Sequence, residues 1–275
     1  MSAQFPLPRE IAQCVGPLHA VEYPPQGTAF QVSILTAARG RFVLKVAHTP
    51  AMIRALDREA HILTALQMHV PFVAQPLADA QVDGGHAFLF SYLEGVPLHQ
   101  VLQQASTRER HQLLVQYAQA LQRVHSWTPN LPYPADWLAE TLTWLSANIL
   151  ACPSETLVAN TNSRFDGSNA RHLLADLQAQ RAWIKNDIVF GHYDYCLPNV
   201  LVQDRQVVGI IDWSGGRYID RRFDLATALF SMGLFEVLQD ASYQSTFLQA
   251  YGYPESPDTL HFFEALHALT CAFWR

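Results

Sequence analysis

Between Asn199 and Asp212 the chain is written to fold straight back on itself. Val200-Leu201-Val202 and Gln206-Val207-Val208-Gly209-Ile210-Ile211 are two short β-runs, and the polar pair Asp204-Arg205 between them supplies a turn. A hairpin at this point brings Asn199, just before its first strand, close to Asp212, just after its second. Immediately upstream stands Gly191-His192-Tyr193-Asp194-Tyr195-Cys196-Leu197-Pro198-Asn199, a His-x-Asp-x-x-x-x-Asn loop. Turns use Asp and Asn in any protein. The combination of loop, spacing and second carboxylate is a narrower signal than loop vocabulary alone.

An acid, an amide and a second acid gathered at one end of a hairpin form the set that phosphoryl transfer uses. In that reading Asp194 is the catalytic residue, orienting an attacking hydroxyl and accepting its proton. Asn199 and Asp212 are the metal ligands. Two oxygen donors without a protein cage of their own suit Mg²⁺, which keeps waters and is shared with substrate phosphates. His192 is read as a structural hydrogen-bonder.

The first ninety residues carry matching chemistry. Gln31–Leu35, Arg41–Val46 and His86–Phe90 are β-runs, and Ile53, Leu56, Ala60, Leu63 and Leu66 recur at helical spacing between them. Lys45 lies in the otherwise apolar Phe42-Val43-Leu44-Lys45-Val46-Ala47. An unpaired ammonium in such a strand is costly, so Lys45 calls for an anionic partner. Glu59, beside the apolar stripe of the following helix, is the candidate. A lysine so held and aimed at nucleotide phosphates is a kinase arrangement. The Pro24–Phe30 segment has a single glycine and matches neither Gly-x-Gly-x-x-Gly nor a P-loop. Gly27 and Thr28 can still offer backbone N–H groups to a phosphate, as an ordinary turn also does.

Beyond Gly95 the pattern turns helical. Leu114, Tyr117, Leu121 and Val124 line one face of a helix over 107–126, and further helices are expected at about 137–150, 170–184, 221–236, 243–251 and 257–273. Residues 153–169 read as a loop. The expected division is a nucleotide-binding lobe over 1–92 and a catalytic and substrate-binding lobe over 93–275.

Composition bounds the partners. Of 275 residues, 49% are hydrophobic and 15% charged, which is globular rather than disordered, and the net charge of −6 gives no basic footprint for nucleic acid. Cys14, Cys152, Cys196 and Cys271 are scattered without metal spacing and read as free thiols of a reducing compartment. The N-terminus lacks a basic region followed by an apolar core, and no apolar run approaches membrane-spanning length. A cytoplasmic protein without nucleic-acid or membrane partners is expected. Its oligomeric state is not specified.

Taken together, Phe42-Val43-Leu44-Lys45-Val46, Glu59, Tyr92-Leu93-Glu94-Gly95, Leu121-Gln122-Arg123-Val124-His125-Ser126 and the 191–226 block resemble the aminoglycoside phosphotransferase family. The likeness to aminoglycoside 3′-phosphotransferases is strongest in Cys196-Leu197-Pro198-Asn199 and Asp220-Arg221-Arg222-Phe223-Asp224-Leu225-Ala226. The resemblance implies an α+β, two-lobe, protein-kinase-like fold, with an antiparallel sheet and one helix in the first lobe and a mainly helical second lobe. It implies ATP as phosphate donor, with GTP as the alternative, and Mg²⁺ as cofactor. Lys45 would hold ATP phosphates and Glu59 would hold Lys45. The linker Ser91–Leu93 would meet adenine through its backbone, and Asp224 would brace the catalytic loop. The implied acceptor is a hydroxylated small molecule, with an aminoglycoside-like antibiotic as first candidate. A metabolic kinase for choline, a sugar, homoserine or methylthioribose is the alternative, and a non-catalytic nucleotide-binding protein a third. The chain departs from the family at Tyr193, where glycine is usual, and at 266–275, which lack the acidic ending of the 3′-phosphotransferases. Acceptor contacts are sought among Asp136, Glu140, Glu155, Asp166 and Asp176 and the indoles of Trp137, Trp144 and Trp183.

Overall fold

The computed structural model describes residues 7–24, 30–66, 73–132, 136–151, 170–185, 187–253 and 260–273. They form two compact units, one of residues 1–95 with Val208–Gly215 and one of Val96–Val207 with Gly216–Arg275.

The first unit begins with α1 (Arg9–Val15) and β1 (Leu18–Glu22), followed by β2 (Gln31–Ala37), β3 (Gly40–Ala47), α2 (Pro50–Leu66), β4 (Pro76–Val82) and β5 (Gly85–Ser91). The strands make one antiparallel sheet in the order β1-β2-β3-β5-β4. Side chains alternate faces along a strand. On β3, Phe42, Leu44 and Val46 therefore join Ile11, Val15, Leu35, Ala80 and Leu89 in one core cluster, while Lys45 shares the opposite face with Val43. The β4–β5 turn needs glycine, since Gly84 sits at φ +70° and a Cβ on Gly85 would lie 2.2 Å from the Ala47 carbonyl oxygen.

Val208–Gly215 belongs with this unit, although an undivided second lobe over 93–275 was expected. The reason is tertiary: the Trp213 N–H donates to Glu59 Oε1 at 3.2 Å, and Arg58 Nη1 donates to the Ser214 carbonyl at 3.3 Å. No local pattern announces bonds across about 150 residues.

The second unit opens with β6 (Val96–Pro97), α3 (Leu98–Gln104) and α4 (Thr107–His125). The last starts at a capping box in which Ser106 and Glu109 satisfy each other's backbone N–H groups. After α5 (Trp137–Ala151) and α6 (Ala170–Gln180) come β7 (Ile188–Gly191), β8 (Val200–Gln203), β9 (Gln206–Ile210, counted with the first unit from Val208 on) and β10 (Arg217–Asp220). Then follow α7 (Arg221–Gly233), α8 (Ala241–Tyr251) and α9 (His261–Phe273). Strands β7 and β10 form an antiparallel pair, and β6, β8 and β9 a small sheet in that order. The β8–β9 hairpin turns at Asp204 and Arg205 with φ of 49° and 61°, the left-handed pair that a two-residue hairpin turn demands. A core of Trp137, Leu142, Leu145, Leu174, Leu177, Phe223, Phe263 and Leu266 draws on α5, α6, α7 and α9. The loop expected at 153–169 lies outside the described residues.

Tyr117 of α4 and Tyr195 of the 191–199 loop clasp each other. Their rings stack at 4.7 Å between centroids and 9° between planes. Each phenol donates to the other residue's carbonyl oxygen at 2.8 Å. Both are fully buried, so each O–H answers a carbonyl that water cannot reach. Tyr117→Phe strands the Tyr195 carbonyl and lowers unfolding stability by about 1–3 kcal/mol. Urea denaturation of the variant beside the parent measures this, and coincident curves would deny the clasp any weight.

Candidate active site

In the first unit Lys45 is the centre. Its Nζ lies 2.8 Å from both Glu59 carboxylate oxygens and 3.0 Å from Asp212 Oδ1. Lys45 is 9% exposed and Glu59 2%, while the Asp212 side chain keeps 41% of its surface in water. Burial works against the ammonium charge, but the Asp212 and Glu59 carboxylates more than offset it, so the Lys45 pKa is raised above its ordinary value. Asp212 itself sits at φ +68°, a backbone conformation that disfavours L side chains. The bond from Trp213 N–H to Glu59 and the bond from Lys45 to Asp212 hold that conformation in place.

Ser91 ends β5, opposite Phe42. Its N–H donates to the Gln75 carbonyl at 2.8 Å and its Oγ accepts from Gln75 N–H at 2.8 Å. Tyr92 N–H donates to the Arg41 carbonyl at 3.3 Å, the Arg41 guanidinium lies 3.9 Å over the Tyr92 ring, and Nη1 reaches Glu94 at 3.2 Å. Leu93 lies just past this ladder, half-buried. Gly27 and Thr28 fall outside the described residues.

In the second unit the chain leaves β7 at Gly191 and bends into the loop. His192 is fully buried, Tyr193 nearly so, and Asp194 emerges into solvent. Asn199 Nδ2 donates to the Asp194 Oδ2 and to its main-chain oxygen, both at 3.0 Å. That use of the amide nitrogen turns Asn199 Oδ1 the other way. His192 Nδ1 accepts from the Asp194 N–H at 3.3 Å, within the loop, as a structural hydrogen-bonder does.

Asp224, wholly buried near the start of α7, anchors the loop's backbone. Its Oδ2 accepts from His192 N–H at 2.7 Å and its Oδ1 from Tyr193 N–H at 2.8 Å. Gly191 makes that approach possible, since a Cβ there would meet Ile219 Cδ1 at 2.4 Å and Asp224 Oδ2 at 2.7 Å. Tyr193 holds φ +75°, a conformation glycine adopts freely and tyrosine does not. Its ring stacks on Phe223 at 4.8 Å, with the Arg217 guanidinium 4.3 Å from its centroid.

The acceptor candidates divide. Trp137 is a core residue, 3% exposed and packed edge-on to Phe223 at 5.5 Å, so it is not available for stacking on a ligand. Asp136 caps α5 through the Ala139 N–H at 2.9 Å and pairs with Arg181. The Ala139 N–H, more than Arg181, holds its carboxyl below the ordinary range. Trp144 is partly exposed on α5, and Asp176 and Glu140 stand on α6 and α5. Glu155, Asp166 and the Trp183 side chain lie outside the described residues.

Two partners escaped the sequence reading. The Lys45–Asp212 bond joins residues far apart in the chain. His125, whose Nε2 lies 3.1 Å from Asp224 Oδ2, did leave a trace. It falls four residues after Leu121, on the apolar stripe of α4, where a polar side chain needs a buried partner.

Residues 20–263 match the model of a family described as the phosphotransferase enzyme family. Over 69 residues the chain is 35% identical to an aminoglycoside 3′-phosphotransferase of Niallia circulans, a stretch covering 25% of this chain and 26% of that protein. Among solved structures it is similar to an aminoglycoside-3′-phosphotransferase of type VIII, with a TM-score of 0.73 and 22% identity over 92% of this chain and 93% of the other. It is also similar to the aminoglycoside phosphotransferase APH(3″)-Id of Streptomyces rimosus in complex with ADP and streptomycin. There the TM-score is 0.69, at 23% identity over 91% and 92%. These likenesses establish the α+β, two-lobe, protein-kinase-like fold.

One titrating group stands out in the core against Phe223. His267 of α9 is 4% exposed, lies edge-on to Phe223 and Phe230, and has Cys271 Sγ 3.3 Å from its Nε2. Burial pulls its pKa down to about 4 against a small opposing pull from Asp224. The unfolded chain protonates this ring near pH 6.5 and the folded protein not until about pH 4, so stability is full above that window and falls as pH drops through it. The His267→Leu variant escapes this loss. The stability gap between parent and variant shifts by about 3 kcal/mol between pH 7 and 4 in urea titrations. Parallel pH profiles would show the ring to be protonated in both states alike.

Proposed function

The chain belongs to the phosphotransferase enzyme family, and from that premise we propose that it moves the γ-phosphoryl group of ATP, or alternatively GTP, onto a hydroxyl of a small molecule. The observation that carries this reading is the Lys45 ammonium fixed by Glu59 and Asp212, with bonds of 2.8, 2.8 and 3.0 Å. A buried cation with its tip held at a partly exposed carboxylate is suited to an entering polyphosphate. The nucleotide's adenine would lie along Ser91–Leu93, taking its hydrogen bonds from that backbone.

The donor set fits Mg²⁺. Asp212 offers a carboxylate and Asn199 an amide oxygen, both hard ligands of the kind magnesium takes when it is shared with phosphates. Those two residues would hold the ion, which when bound neutralises charge on the phosphate oxygens. Asp194 acts on the acceptor. It orients the hydroxyl and receives its proton, while Asn199 Nδ2 keeps the carboxylate pointed. Asp224 and His192 keep the loop in shape. Lys45 steadies the phosphates and Glu59 steadies Lys45.

The first candidate acceptor is an aminoglycoside-like antibiotic, as for the Streptomyces rimosus relative crystallised with ADP and streptomycin. In that role the protein would confer resistance. The second reading is a metabolic kinase for choline, a sugar, homoserine or methylthioribose. An acceptor panel with an ADP-release readout separates the two. ATP binding without acceptor-dependent ADP release across the panel would instead indicate a non-catalytic nucleotide-binding protein.

Asp194→Asn lowers kcat by roughly 10²- to 10⁴-fold and leaves nucleotide affinity within about twofold, because the lost group acts on the acceptor. Steady-state kinetics and calorimetric titration with nucleotide measure the pair. Turnover at the parent rate would remove Asp194 from the mechanism. Lys45→Ala weakens nucleotide binding by about tenfold or more, the weight of one charge-assisted contact, when titrated well below its thermal transition. Affinity and turnover both unmoved would end the phosphate role of Lys45.

A further inference from the structure

The hydrogen bonds around Asp224 continue beyond the loop. A carboxylate only accepts, so the His125 Nε2 that lies 3.1 Å from Asp224 Oδ2 must be the donor of that bond. In a neutral imidazole the other nitrogen then accepts, and the group facing it is the Tyr251 phenol, 2.7 Å from Nδ1. The Arg221 guanidinium charge acts on the phenol, opposing the rise that burial gives its pKa. Arg221 pairs with Asp187, Nε to Oδ2 at 2.6 Å.

Every proton therefore points inward. Tyr251 donates to His125 and His125 to Asp224, which also receives the N–H groups of His192 and Tyr193. The relay starts beside the rim, where the Arg221 and Asp187 side chains are 34% and 53% exposed. It ends at a carboxylate with no exposure at all. His125 is the last residue of α4, Tyr251 the last of α8 and Arg221 the first of α7, so three helix ends meet along it. Burial pushes the Tyr251 phenol up to about 12, which keeps its proton in place at neutral pH.

We propose that His125 and Tyr251 are positioning residues for the Asp194 loop, setting the Asp224 carboxylate in the one orientation that grips both loop N–H groups. This rests on the reading of Asp194 as the base. Tyr193, at φ +75°, is strained and stays so only while its N–H is held. If Asp224 turns, Tyr193 relaxes and carries the adjoining Asp194 with it. The relay thus acts on the placement of the base and not on nucleotide or acceptor contacts.

Four measurements test it on the full chain. Nitrogen-15 spectra of histidine-labelled protein, assigned by comparison with His125→Gln, should show His125 as the single neutral tautomer protonated on Nε2. A ring protonated on Nδ1, alone or with Nε2, overturns the relay. Tyr251→Phe should lower kcat by roughly 10- to 100-fold with both KM values within about twofold, a misplaced-group signature that general destabilisation does not give. A kcat within twofold of the parent overturns it. His125→Gln, which keeps a donor toward Asp224, should retain more kcat than His125→Leu, and equal losses count against the proposal. If the parent turns over no acceptor, the phosphotransfer reading falls while the relay is still judged. Hydrogen exchange at the His192 and Tyr193 amides should quicken at least tenfold in Tyr251→Phe, and unchanged protection overturns it.

Discussion

Asp224 carries the geometry of the second unit's site. A carboxylate without any exposure needs hydrogen bonds on both oxygens, and here they come from two consecutive peptide N–H groups and one imidazole. That requirement propagates outward. Gly191 has to be glycine because the carboxylate oxygen would lie 2.7 Å from a Cβ. Tyr193 has to take a positive φ to present its N–H alongside that of His192. Asp194, next in line, is then delivered to the surface, with Asn199 holding its far oxygen. Asp194 is exposed because everything around it is fastened.

The first unit solves a different electrostatic problem. Lys45 is a cation on an apolar strand, and a lone carboxylate partner would leave the pair neutral and closed. Two carboxylates leave the cluster with surplus negative charge and one partner, Asp212, half in water. Removing Glu59 would expose the buried ammonium to the desolvation penalty that makes broken internal pairs so destabilising. Removing Asp212 leaves the buried pair intact. Glu59 is therefore the fixed member of the triad, and Asp212 the one that solvent can reach.

Legibility in the sequence tracks how local each cause is. The helices at Pro50–Leu66, Thr107–His125, Trp137–Ala151 and His261–Phe273 show in apolar periodicity, and the hairpin around Asp204-Arg205 shows in its strand–turn–strand pattern. Lys45 was legible because an apolar strand makes a lone lysine conspicuous, and Glu59 because it borders the buried stripe of α2. The edge strands β1 and β4 were not. Leu18–Glu22 and Pro76–Val82 each pair on one side only, and β4 turns mainly the small Ala78 and Ala80, with Val82, toward the core, which makes a faint apolar signal. The Trp137 indole, readable as a ligand platform, is spent on packing against Phe223. Bonds such as Lys45–Asp212 and His125–Asp224 depend on long-range folding and leave at most a polar residue in an apolar stripe as a sign.

Tyr193 shows what the departure from glycine accomplishes. A tyrosine at φ +75° forgoes about 1–2 kcal/mol relative to a relaxed backbone. Its ring recovers that through burial, stacking on Phe223 and lying under Arg217, contacts that glycine cannot make. The exchange ties two regions together, because the ring joins the core built around Phe223, Phe263 and Leu266 while the N–H of the same residue is held by Asp224. A change in either that core or Asp224 therefore acts on the strained backbone that leads into Asp194.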